Sequence, residues 1–119
     1  MEKYALFAFN GEAMCFVHVL LNGLDLAARG HEVKIVIEGA ACRLVPELGE
    51  ASNPFHQLYV KARDAGLIAG ICQACAQKMG SLESGRAQGL TILHDMSGHA
   101  GMAPYIQAYI QDGYRIITF

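Results

Sequence analysis

The sequence predicts an α/β fold, a parallel sheet of five strands covered on both faces. Three observations lead there. Five short segments, "KYALFAF", "HEVKIVIEG", "LIAGI", "LTIL" and "YRIITF", are apolar through most of their length, and near-continuous apolar strands belong to sheets buried on both sides. Helical stretches separate most of them, so the order reads βαβαβαβαβ. Glycines stand where helices must stop and turn back, at Gly30, Gly66, Gly80 and Gly113. The 119 residues suit one domain spanning residues 1–119. A chain of that length can bury a core without disulfide or metal staples.

The elements follow in order. After "KYALFAF" a helix is expected from Glu12 to Arg29, because Ala13, Phe16, Val17, Leu20, Leu24 and Ala27 recur along one face. "HEVKIVIEG" is the second strand. "ACRLVPELGEASN" reads as a loop with a helical turn before Pro46. Asn53 and Pro54 suit an N-cap and a first helical position, so a helix should run from Pro54 to Ala65. "LIAGI" is the third strand and "CQACAQKM" a short helix. "SLESGRAQG" reads as a polar connection, "LTIL" as the fourth strand and "HDMSGHAG" as a loop. A last helix is expected over Met102 to Asp112, ahead of the strand "YRIITF".

Composition narrows the function. Charged residues make up 17% against 53% hydrophobic. The charged share is below the roughly 25% of an average soluble domain, which points to apolar surface covered by another subunit. The net charge of -2 comes without a basic cluster. That argues against nucleic acid or an anionic membrane as the main partner. "MEKYALFAFNGEAM" lacks the pattern of a secretory leader, and no apolar run approaches the roughly 18 residues of a membrane span. A cytoplasmic protein is expected, its cysteines reduced rather than paired in a disulfide framework.

Sites in parallel α/β sheets gather at the carboxyl ends of the strands. All four cysteines, Cys15, Cys42, Cys72 and Cys75, fall on that side, as do His94 and His99. Cys72 ends the third strand and begins the next helix, where unpaired backbone N–H groups favour an anion. A free thiol with a pKa of about 8.5 is only ~3% thiolate at pH 7, and a helix end worth roughly one pKa unit raises that to about a quarter. Cys72 is therefore the expected nucleophile. Cys75, one turn on, reads as a resolving thiol or a core residue. His94, at the end of the fourth strand, is placed to hydrogen-bond the Cys72 sulfur. Cys15 and Cys42 read as core residues, His99 as a loop or interface residue, His18 and His56 as structural, His31 as a solvent-exposed loop residue, and Glu38 as a turn cap.

Several readings fail. The first turn, "FNGEAM", lacks GxGxxG, so Glu38 is not the ribose-binding acid of a dinucleotide fold. No phosphate-binding loop is present. Thioredoxin-like redox chemistry is a rival, because CxxC before a helix is its signature. Pro46, Pro54 and Pro104 all lie in the wrong places for it. A zinc site needs four ligands and one CxxC supplies two. No cofactor or metal is called for, although Cys42, His94 or His99 would complete a thiol-based metal or ligand module.

From Cys72 to Gly80 the chain resembles the DsrE/DsrF-like family of sulfur-relay proteins, which includes the TusBCD and DsrEFH components. The match reads Cys72, Cys75, Lys78, Gly80, and "YRIITF" resembles the family's terminal strand. The resemblance implies a three-layer α/β/α sandwich with a five-stranded, mainly parallel sheet, and homo-oligomers, often trimers or hexamers. It implies a sulfurtransferase-type carrier that holds a sulfane sulfur as a persulfide on Cys72. Its partners would be sulfur donor and acceptor proteins or small thiols. Cys75 matches a variable position, and relay complexes use several different subunits where one chain stands here.

Overall fold

The computed structural model describes residues 1–119. Five parallel strands form one sheet in the order β4-β3-β2-β1-β5. They are β1 (Lys3–Ala8), β2 (Glu32–Ile37), β3 (Ile68–Cys72), β4 (Ile92–Leu93) and β5 (Tyr114–Thr118). The expected α/β class and the three-layer sandwich are what the chain adopts. The longest helix is α1 (Ala13–Ala28), followed by α2 (Val45–Leu48), α3 (His56–Asp64), α4 (Gln73–Lys78), α5 (Leu82–Ala87) and α6 (Ala108–Gln111). No helix is long and apolar enough to cross a membrane.

Strand alternation assigns the two faces. Leu6 pairs with Ile35, and Ile37 with Ile71. On that face Gly23 of α1 lies against Ile35 and Gly85 of α5 against Ile71. Phe7, next in β1, points the other way and meets the Tyr109 ring of α6 at 6.2 Å. The handedness of crossovers accounts for this. The steps from β1 to β4 run in one direction, whereas the return to β5 beside β1 runs back and covers the opposite face. Phe7, Phe16, Leu20, Ile35, Ile37 and Ile71 are all fully buried.

Three segments differ from the sequence expectation. "SLESGRAQG" contains α5, a six-residue helix in which only Gly85 is fully buried, so it has no apolar stripe to read. The segment after β2 forms a 3₁₀ helix, Gly39–Leu44, then α2, rather than a loop with one turn. The helix expected from Met102 opens as a π-helix, Met102–Gln107, and becomes α6 only at Ala108. Asn53 is not the N-cap of α3, a position held by Phe55 without a side-chain cap; it lies three residues before His56, where its side-chain oxygen accepts the Phe55 N–H at 2.8 Å and its carbonyl accepts the His56 N–H at 3.0 Å.

Candidate functional site

Cys72 is the last residue of β3 and the extended N-cap of α4 (φ -62°, ψ 123°), and its side chain is wholly buried. Cys75 projects from the first turn of α4 and is half-buried. The histidine that meets them is His99. Its Nδ1 lies 3.7 Å from Cys72 Sγ and 4.0 Å from Cys75 Sγ. The two sulfurs and the imidazole nitrogen all lie within 4.8 Å of one another.

A tight hairpin brings His99 there. Met96 and His99 exchange backbone hydrogen bonds at 2.9 and 2.8 Å. The two residues between them, Ser97 and Gly98, have φ of 49° and 87°. Positive φ at both central positions is the two-residue hairpin turn that suits glycine and strains serine. The Gly98 carbonyl then accepts the Ala74 N–H at 2.8 Å, which fastens the hairpin over the start of α4. One of the N–H groups the sequence left free for an anion is thereby occupied by a carbonyl.

His94, the expected partner of Cys72, is exposed, and its side chain makes no hydrogen bond; its carbonyl accepts the Gly98 N–H at 3.2 Å and closes the base of the hairpin. Cys42, buried in the 3₁₀ helix, donates its S–H to the Ile37 carbonyl at 3.7 Å. Burial first, then the neighbouring Cys75 and Cys72, hold the Cys42 thiol far above its ordinary range. It stays protonated. Cys15 is half-buried in the first turn of α1. His31 accepts the Glu2 N–H at 3.0 Å and packs edge-on against Tyr4, so it has a structural role beyond an open loop. His56 bonds the Leu48 carbonyl at 2.8 Å.

The pKa of Cys75 is raised, chiefly by burial and then by its hydrogen bond with Cys72. The Gly39 N–H opposes this by favouring the thiolate. At rest Cys75 holds its proton, and a base is needed to free its sulfur. With its proton on Nε2, His99 has an Nδ1 lone pair for that task.

A cleft of about 540 Å³ opens beside His99. Phe9 from the end of β1, Glu38 from the end of β2, and Met96, Met102 and Ile106 line it with His99. Only the glutamate and the histidine bring polar side chains to a mainly apolar surface. Burial raises the Glu38 pKa above its usual 4.5, and its carboxylate makes no ion pair. The sequence marked Glu38 as a turn cap, but its side chain caps nothing.

A pH-dependent stability follows from Glu38. Burial favours the uncharged acid. Below the ordinary value of 4.5 the carboxyl costs nothing, and stability is lost as pH rises through the higher native value. Glu38→Gln should therefore raise the melting temperature at pH 7 and leave it unchanged below that ordinary value. Thermal melts at the two pH values check this; an equal change at both would contradict it.

No protein-family profile matches the chain, and no solved structure matches it. It is 31% identical over 101 residues to the uncharacterized protein MJ0733 of Methanocaldococcus jannaschii, a match covering 85% of this chain and 77% of the relative. An uncharacterized protein of Archaeoglobus fulgidus is 39% identical over 51 residues, 43% of this chain and 84% of that one.

Proposed function

We propose a function for a chain that belongs to the family of the uncharacterized archaeal protein MJ0733: it carries a sulfane sulfur on the Cys72–Cys75 pair and passes it to an acceptor thiol. The observation that carries this reading is the meeting of two sulfurs and an imidazole nitrogen within 4.8 Å at the carboxyl end of β3. The resemblance of Cys72 to Gly80 to sulfur-relay proteins points the same way.

The exposure of the two thiols supports a different order from the sequence expectation, with Cys75 rather than Cys72 as the first nucleophile. Cys75 is half-buried and Cys72 wholly buried, so an incoming donor meets Cys75 first. His99 Nδ1 takes the Cys75 proton. The thiolate attacks the outer sulfur of a donor persulfide, R–S–SH. The donor's S–S bond breaks, Cys75–S–SH forms, and RS⁻ leaves and takes the proton back from His99. His99 Nδ1, 3.7 Å from Cys72 Sγ and free again once its proton has gone to RS⁻, takes the Cys72 proton; the Cys72 thiolate attacks the same outer sulfur, and the departing Cys75 thiolate recovers that proton from His99.

That second step needs the moving sulfur between the two Sγ atoms. Two S–S bonds end to end span roughly 4 Å, and the Sγ atoms lie within 4.8 Å. Transfer inward requires little movement. Cys72–S–SH then sits out of water. Reversal of the two steps delivers the sulfur to an acceptor thiolate, with no net oxidation or reduction.

Intact-mass measurement after incubation with a low-molecular-weight persulfide tests the reading. The wild type should gain one sulfur atom per chain, and a Cys72→Ser/Cys75→Ser double variant none. No added sulfur in the wild type, or equal addition in the double variant, would refute it.

A further inference from the structure

We infer that Cys72, Cys75 and His99 also form a binding site for a thiophilic cation, zinc, with one coordination position left open toward the cleft beside His99. Zinc ligands in tetrahedral geometry lie about 2.3 Å (sulfur) or about 2.0 Å (nitrogen) from the ion, which sets them roughly 3.5–3.8 Å apart. The Cys72 sulfur and His99 nitrogen are 3.7 Å apart, the Cys75 sulfur and His99 nitrogen 4.0 Å, and the two sulfurs lie within 4.8 Å, so closure of the triangle by at most about 1 Å on its longest edge completes three vertices. The donor set, two thiolates and an imidazole, is of the kind that zinc selects over hard cations.

The ligands are held from separate directions. Cys72 is fixed by the end of β3, Cys75 by the first turn of α4, and His99 by the hairpin that the Ala74–Gly98 bond fastens to that turn. Three protein ligands with a vacant fourth position is the pattern of zinc sites that bind an exchangeable group rather than serve structure alone. His99 is shared between the cluster and the cleft, so the vacant position and the apolar walls belong to one recess. The exchangeable ligand would be a small molecule with a thiol or other anionic head and an apolar body.

This inference is independent of sulfur carriage, although both use the same sulfurs. Zinc held by both thiolates leaves neither free to attack a persulfide, so metal loading and sulfur loading exclude one another.

The test is titration of fully reduced protein, first stripped with chelator, with Co²⁺ and then with Zn²⁺ in competition with a chromophoric chelator. One Co²⁺ per chain should bind with the thiolate-to-metal absorption and the intense visible bands of tetrahedral sulfur ligation. Zn²⁺ should displace it at one equivalent. Loss of a ligand in Cys72→Ser, Cys75→Ser or His99→Ala should weaken zinc binding at least about a hundredfold, as expected when one of three strong bonds is removed. Cys15→Ser should bind as the wild type does. The Co²⁺ spectrum reads the ligands in unaltered protein, so the test stands even if a variant unfolds. Zinc-saturated protein should take up no sulfur until chelator is added. Binding below stoichiometry, a spectrum without thiolate ligation, or affinity unchanged in His99→Ala would overturn the inference. Zinc binding with no sulfur uptake by the metal-free protein would refute sulfur carriage alone, and the converse result would refute the metal site alone.

Discussion

Replacing Cys75 by serine is expected to slow sulfur uptake about a hundredfold, because reaching a buried thiol requires local opening that costs ~3 kcal/mol. The remaining thiol of the pair, Cys72, is wholly enclosed by β3, the 3₁₀ helix and the hairpin. Serine is close to cysteine in size, so the variant should keep its fold and isolate the chemistry. Cys72→Ser should behave differently. Uptake on Cys75 should proceed near the wild-type rate, but the sulfur should be lost sooner, since it cannot move inward. Quenching with alkylating agent and following intact mass over time separates the two. An unchanged uptake rate in Cys75→Ser would show that Cys72 is reached directly.

Gly70→Ala is expected to cost about 3 kcal/mol, the upper end for overpacking a filled interior, and to lower the melting temperature by roughly 10–15 °C. A Cβ at Gly70 would stand 2.5 Å from the Thr91 carbonyl oxygen and 2.7 Å from Leu93 Cδ2. The first of these is backbone, accepts the Ile71 N–H at 2.9 Å, and can yield only if β4 itself shifts. β4 is only two residues long, Ile92–Leu93, and pairs with Ile71 and Cys72, so it has little to resist displacement. The same change moves Cys72, two residues on, and should impair sulfur uptake in whatever protein remains folded. Gly85→Ala is the contrast: its Cβ would meet only the Ile71 side chain, at 3.4 Å, an ordinary van der Waals distance. A melt of Gly70→Ala no lower than that of Gly85→Ala would contradict the packing described.

The strands were legible because burial on both faces leaves an unbroken apolar run, and the turn glycines because a left-handed helix stop needs them. The collection of cysteines at one edge was legible because strand direction alone puts them there. Three things were not. The helix α5 is short and polar, and it is held by tertiary contact rather than by any stripe of its own. The burial of Cys72 depends on the 3₁₀ helix and the hairpin, which are remote in sequence. His99 rather than His94 faces the sulfurs because a two-residue turn folds the loop back over α4. Nothing in the local sequence compels Ser97 into positive φ. "SG" between Met96 and His99 was the available signal, a turn dipeptide flanked by residues that pair.

Sulfur carriage by the pair, entering at Cys75 and resting on Cys72, is tested most directly by mapping the added sulfur to individual cysteines as a function of time. Reduced, metal-free protein would be exposed to a small persulfide, alkylated at intervals, digested, and the sulfur located by peptide mass spectrometry. The label should appear first on Cys75 and then accumulate on Cys72, with Cys15 and the buried, protonated Cys42 remaining unmodified. Sulfur appearing on Cys72 before Cys75, or on Cys15 or Cys42 at a comparable rate, would contradict the account.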